Sequence, residues 1–382
     1  MITLACAAAI ACASACGGTL SSSNDAGAPG SKGQPCNAGA TCDGTLACIQ
    51  GTCVDIGDGP LAPSCAPGGA GMTNCAGGGE SCCMSLEVPG GTYHRTYTND
   101  GTGPTDEADP ATVSAFRLDK YEVTVGRFRQ YVSYLVAGGA APAAGAGKHT
   151  HLNGGQGLAD GAQPGTFESG WDPTLNMYLS SHADAWNTTL AGDPPDHAYA
   201  TWTPDPGANE SLPINFVNWP DAYAFCIWDG GFLPSEAEWE YAAAGGSEER
   251  EYVWGSAPPS VDRVIFDCNY PAGTTTCSSL VNIAPVGTAT AGAGKWGQLD
   301  LAGSMAEWSM DYWDDAVWPN PCVDCAYLTP RPEQGAYPFR PARGSSFDDT
   351  SSPPIFMVPS GRNYATGTGY DQNIGFRCAR TP

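Results

Sequence analysis

Phe232-Leu233-Pro234-Ser235-Glu236-Ala237-Glu238-Trp239-Glu240-Tyr241-Ala242-Ala243 is the stretch on which the reading of the fold turns. Ser235 followed three residues later by Glu238 is a capping box: the serine hydroxyl takes one orphan N–H of the first turn, and the glutamate reaches back for another. The helix so started carries Trp239 and Tyr241 and stops at Gly245-Gly246. Just upstream, Pro213-Ile214-Asn215-Phe216-Val217-Asn218-Trp219 runs into Pro220, which a first turn tolerates, and predicts a helix over 221–229 ended by Gly230-Gly231. Further out, Phe116-Arg117-Leu118-Asp119-Lys120-Tyr121 alternates as a strand, and Thr124 caps a helix whose Val125, Phe128, Val132 and Leu135 share one face.

Between these elements the chain is rich in punctuation. It holds 50 Gly and 32 Pro in 382 residues with only 15% charged side chains, which suits many short elements joined by ordered loops. Residues 138–209, rich in Gly, Ala, Pro and Asp with scattered Trp171, Trp186 and Trp202, read as a loop-rich surface insertion. His149-Thr150-His151 within it reads as an incidental exposed pair. Helix is expected to be the minority.

Seven pieces occur in a fixed order: Val88-Pro89-Gly90-Gly91-Thr92-Tyr93, Leu118-Asp119-Lys120-Tyr121-Glu122-Val123-Thr124, the opening stretch, Tyr252-Val253-Trp254-Gly255, the run from Gly297 through Asp300 to Trp308, Arg343-Gly344-Ser345-Ser346-Phe347, and Asn373-Ile374-Gly375-Phe376-Arg377. In this order the set resembles the formylglycine-generating-enzyme (sulfatase-modifying factor) family. The resemblance implies a C-type-lectin-like α+β fold of low regular secondary structure over 84–382 and a disulfide between Cys226 and Cys378, which leaves Cys268 with Cys277 and Cys322 with Cys325 as local pairs by default. It also implies a calcium site with the side chains of Asp300 and Glu307 and the carbonyls of Gly303 and Met305 as ligands. Hard oxygens in a Gly-bearing acidic loop suit that ion. Ser304 and Ala306 stand where the family has Asn and Trp. A second family calcium site near Asn269 and Tyr270 lacks its acidic partner and is not expected.

The family's enzyme holds copper(I) between two cysteines five residues apart, because soft thiolates select that ion. Counting from the flanking motifs places those positions at Pro354 and Pro359, and no cysteine occurs between Cys325 and Cys378. Copper is therefore not expected. His-x-x-x-His-x-Glu iron modules, nucleophile elbows and phosphate loops are absent from the sequence.

The remaining cysteines lie toward the N-terminus, eleven of the seventeen before Met84, which points to an oxidising compartment. Cys36, Cys42, Cys48 and Cys53, with three possible pairings, and then Cys65, Cys75, Cys82 and Cys83 make 36–83 a small stapled module or a disulfide-braced stalk. Residues 1–16, ending Ala13-Ser14-Ala15-Cys16, resemble a lipoprotein signal with lipidation at Cys16, or a plain signal peptide cut nearby, followed by a flexible tether over 17–35. Sixteen basic against 40 acidic residues give a net charge of −24, which repels nucleic acid and anionic lipid and leaves a lipid anchor as the only expected contact with a membrane.

Two functions remain open. One is an exported, lipid-anchored binding protein without catalysis, taking a peptide or glycan in a groove near Ser345, Ser346, Asp348, Arg362 and Asn363. The other is a protein-modifying oxidoreductase working without the usual cysteine pair, for example through Cys322 and Cys325.

Overall fold

The computed structural model describes residues 28–57, 61–75, 78–314, 318–331, 338–350 and 355–382. The signal segment 1–16 with Cys16, the first part of the tether, and Pro354 lie outside the described residues.

The cysteine-rich region divides in two. Cys36–Cys48 and Cys42–Cys53 staple a hairpin of β1 (Ala47–Ile49) and β2 (Thr52–Val54), in which Cys48 faces Cys53. Residues 28–35, expected as the end of a tether, belong to this hairpin, because Gly33 N–H donates to Cys53 O and Cys53 N–H to Gln34 O, each at 2.8 Å. Cys65–Cys83 and Cys75–Cys82 form the second half, which is built into the main domain. There Ser64 N–H donates to Asp229 at 2.9 Å, and Arg127 donates to the Cys82 carbonyl. Gly71, at φ +68°, lies so close to the Glu210 carbonyl that an added Cβ would sit 1.8 Å from its oxygen. A stalk is therefore the wrong description of residues 61–83.

Four α-helices are formed by the described residues: α1 (Val125–Val136), α2 (Ala183–Thr189), α3 (Trp219–Trp228) and α4 (Glu236–Ala244). Thr124 caps α1 through the Arg127 N–H, and the predicted apolar face is buried. Asn218 caps α3, so that helix begins two residues before the predicted start, with Pro220 inside its first turn. The Ser235–Glu238 capping box of α4 is formed in both directions, and Gly245 ends the helix at φ +70°.

The strands are short. β3 (Ser85–Val88), β6 (Phe116–Asp119) and β14 (Ala379–Arg380) form one sheet with β6 central. β4 (Gly91–Asn99) pairs antiparallel with β5 (Pro104–Val113), and β9 (Cys322–Val323) joins the far edge of β5. β7 (Ala159–Asp160) pairs with β10 (Cys325–Ala326). The central sheet has the order β12 (Arg362–Thr366), β11 (Phe339–Arg343), β8 (Ala306–Trp308), β13 (Ile374–Gly375). The result is the expected mixed α+β architecture with little regular structure.

Residues 138–209 do more than cover the surface. Trp171 and Trp186 are 2% exposed and Trp202 6%, all in the main core with Phe128, Phe225 and Phe376. Each indole N–H has a partner, on Asn176, the Ser180 carbonyl and Asn187, so the rings are buried without an orphan donor. Among the described residues, no helix is long and apolar enough to cross a membrane.

Candidate functional site

All fourteen cysteines from Cys36 to Cys378 are joined in seven disulfides. Cys226 on α3 is bonded to Cys378, Cys268 to Cys277, and Cys322 to Cys325. No thiol remains among the described residues to become a thiolate. Pro359 presents its carbonyl to the Arg343 guanidinium at 3.0 Å. Cys322 and Cys325 are 2% and 4% exposed and lie in strands paired to β5 and β7, so a redox partner has no direct approach to the sulfurs.

Of the five groove residues, the β11–β12 pairing sets Arg362 and Asn363 opposite Arg343 and Ala342, just before Ser345 and Ser346. Their side chains face different tasks. Ser345 and Ser346 are buried and donate to Asp349 and Asp348 at 3.1 and 2.8 Å. Asp348 also accepts from Gln372 and Asn373. Arg362 donates twice to Glu236, at 2.7 and 2.8 Å, with its guanidinium between Trp313 and Trp318. Burial opposes the Glu236 charge, but Arg362 and Arg343 outweigh it and hold the carboxyl below its usual range. Asn363 accepts from the Tyr364 N–H. The two serines are thus internal anchors of the loop and not surface donors, because the acidic residues that follow them turn back onto them.

Asp300, Gly303 and Met305 lie on one buried loop leading into β8, and Glu307 lies on β8 itself. Asp300 accepts from the Gly287 N–H at 2.5 Å, and burial pushes its carboxyl up to about 6. Glu307 meets Arg377 through both oxygens, at 2.6 to 2.9 Å, and takes the Trp239 indole N–H. Glu122 is the addition that sequence reading did not supply. It accepts from the Met305 N–H, its other oxygen is buried without a partner, and burial together with Asp300 and Glu307 drives it well above the carboxylate range. Three carboxylates thus face one guanidinium. At the second position, Asn269 is spent on Val264 and Phe266, and the Tyr270 carbonyl on Asn282.

A cavity with an aromatic lining suited to an organic ligand lies elsewhere. About 310 Å³ in volume, it is walled by Trp219, Tyr223, Tyr312 and Leu328, with Glu168, Asp172 and Arg340 as its charged groups. Arg340 lies 3.6 Å from the Trp219 ring centre and 3.4 Å from that of Tyr312, and it donates to the Met310 and Asp311 carbonyls. Glu168 is fixed by the His149 N–H and ring at 3.0 Å, and the other ring nitrogen meets Glu238 of α4 at 3.1 Å. Burial disfavours a charged imidazole here, yet the two carboxylates outweigh it and raise His149 to about 10. His149, expected as an exposed and incidental residue, is a fully buried cation tying the 138–209 segment to the capping box. None of Ser345, Ser346, Asp348, Arg362 or Asn363 lines this cavity. Its walls come from 168, 219–223, 312, 328 and 340, too far apart in the chain for any local pattern to signal them. An aromatic cleft with two acidic groups and one basic group can stack a ring and fix it by hydrogen bonds.

A family model described as "Sulfatase-modifying factor enzyme 1-like domain" matches residues 78–382. A formylglycine-generating enzyme of Thermomonospora curvata is 28% identical over 315 residues, covering 78% of this chain and 93% of the relative. An inactive C-alpha-formylglycine-generating enzyme 2 of Bos taurus is 26% identical over 313 residues, covering 79% of this chain and 89% of the relative. Among solved structures, PvdO from Pseudomonas aeruginosa aligns with a TM-score of 0.45 and 21% identity over 78% of this chain and 94% of its own. With the match extending over most of its length, the chain belongs to the sulfatase-modifying factor family, that of the formylglycine-generating enzymes.

Proposed function

We propose that this chain is an exported member of the family that works without copper-dependent oxidation and binds a peptide or glycan. The carrying observation is the sulfur inventory: every cysteine from Cys36 onward is in a disulfide, so no thiolate pair is left for copper(I). Seven disulfides also suit an oxidising compartment. The binding surface that supports the reading best is the aromatic cleft beside Arg340, in place of the loop at Ser345 and Ser346, whose polar groups are spent internally. Purified protein incubated with copper(I) and a cysteine-containing sulfatase peptide is expected to form no aldehyde by mass spectrometry. Formylglycine in that peptide would sink the proposal, and loss of the product on Cys322→Ser would then support the oxidoreductase alternative.

Calcium at the 300–307 loop belongs to the same reading. The excess of carboxylate over guanidinium and the unpartnered Glu122 oxygen support a cation there, with Asp300, Glu307 and the Gly303 and Met305 carbonyls as its holders. Calcium would supply the charge balance that Arg377 alone does not. Thermal unfolding is expected at higher temperature in calcium than in chelator, with the difference abolished in Asp300→Asn. Equal melting in both buffers counts against the site.

A further inference from the structure

We infer that His94, Glu107 and Glu249 form a binding site for a divalent transition-metal ion of the zinc class, on the outer side of the β4–β5 hairpin and away from the 300–307 loop. Three separate elements deliver the ligands. His94 projects from β4 between the buried Tyr93 and Arg95, Glu107 comes from β5, and Glu249 follows the turn that ends α4. The Glu249 backbone is pinned there, its carbonyl accepting from Asn99 at 2.7 Å.

The donor atoms of the three residues lie within 4.8 Å of one another. His94 Nδ1 is 3.0 Å from Glu249 Oε1 and 3.6 Å from Glu107 Oε1. Two ligands each about 2.0 to 2.1 Å from one tetrahedral ion are roughly 3.3 Å apart, so the two separations from His94 bracket the required one. Small side-chain rotations would suffice.

The second observation is Glu249 itself. Its side chain is only 3% exposed, yet the main-chain and ring nitrogens of His94 both address Oε1, while Oε2 is buried with no partner. Oε2, on the same carboxylate as the Oε1 that meets His94, is left with lone pairs to give. Glu107, 46% exposed, keeps the cluster open to solvent for a water as the fourth ligand. One imidazole and two carboxylates match zinc or cobalt(II), whereas calcium asks for six to eight oxygens that this cluster does not offer. Among the described residues, the other group with metal-binding spacing, Cys36, Cys42 and Cys53, is excluded because its sulfurs are spent in disulfides.

The test uses the full chain, stripped of metal and titrated with cobalt(II) while its visible absorption is followed. One equivalent is expected to bind with a tetrahedral spectrum, to be displaced by zinc, and to withstand excess calcium. Glu107→Gln and His94→Gln are each expected to weaken binding by at least about tenfold. Glu107 is exposed, so its variant should melt like the wild type without metal, which separates a lost ligand from a lost fold. No stoichiometric cobalt on the folded protein overturns the inference. Equal binding by the wild type and both variants does so too, since it places the ion elsewhere on this acidic surface.

Discussion

The two ends of α3 carry an aspartate each, and they are treated in opposite ways. Asp229, at the C-terminal cap, is held by Arg127 and Arg380 at 2.8 and 2.9 Å and by the Ser64 N–H. Burial works against its charge, but the two guanidinium groups prevail and keep the carboxyl below its usual range. Asp221, in the first turn, is equally buried, but no hydrogen bond reaches either oxygen. Burial pushes it up to about 8 against the weak pull of the nearby Asn218 amide. Helix electrostatics alone would charge the N-terminal aspartate and discharge the C-terminal one. Tertiary partners reverse that order, because a nearby arginine outweighs the partial charge of a helix end.

The largest effect that tests this contrast is at Asp229. Removing one partner of a buried ion pair leaves the other charge uncompensated, so Asp229→Asn is expected to cost about 3 kcal/mol or more in denaturant unfolding. Asp119 is within 3.0 Å of Arg127 and 3.2 Å of Arg380 and softens the loss. The variant also weakens the anchor of Ser64, so the segment stapled by Cys65–Cys83 should become more sensitive to protease. A cost below about 1 kcal/mol would mean that Asp119 alone neutralises both arginines, and the contrast between the two helix ends would lose its physical basis.

How much of this was legible follows the range of the interactions. The Thr124, Ser235 and Gly245 caps lie within a few residues of the groups they satisfy, so α1 and α4 could be read from the sequence. α3 starts two residues before the expected position because Asn218 makes the cap and Pro220 lies within the first turn. The 138–209 segment looked like surface loop by composition. Its tryptophans pack on Phe128 and its neighbours, and His149 meets Glu168 and Glu238, 19 and 89 residues away. No short-range pattern carries that information. Ordered motifs revealed the family, and with it the Cys226–Cys378 closure, but not that Ser345 and Ser346 are turned inward by Asp348 and Asp349. Likewise Glu122 is a plain strand-end glutamate in sequence and becomes part of the 300–307 loop only through its bond to the Met305 N–H.

The smaller effect is at Asp221, and its sign can be worked out. The folded carboxyl titrates at about 8 and the unfolded one near the ordinary aspartate value of about 4, so between these limits the folded state binds the extra proton. Stability from this group is then whole below about pH 4 and falls as pH rises toward 8, by at most about 1.4 kcal/mol per unit. Asp221→Asn has the same shape and no proton to lose. Other buried acids, such as Asp311, pushed up to about 7, slope the wild-type curve as well, but they remain in the variant and cancel in the difference. Measured side by side, the asparagine variant is expected to gain on the order of 1 to 2 kcal/mol over the wild type between pH 5 and pH 6.5. Parallel stability curves across that interval would show that Asp221 is charged in the fold after all, satisfied by a partner or water, and the two ends of α3 would then differ in neighbours but not in charge.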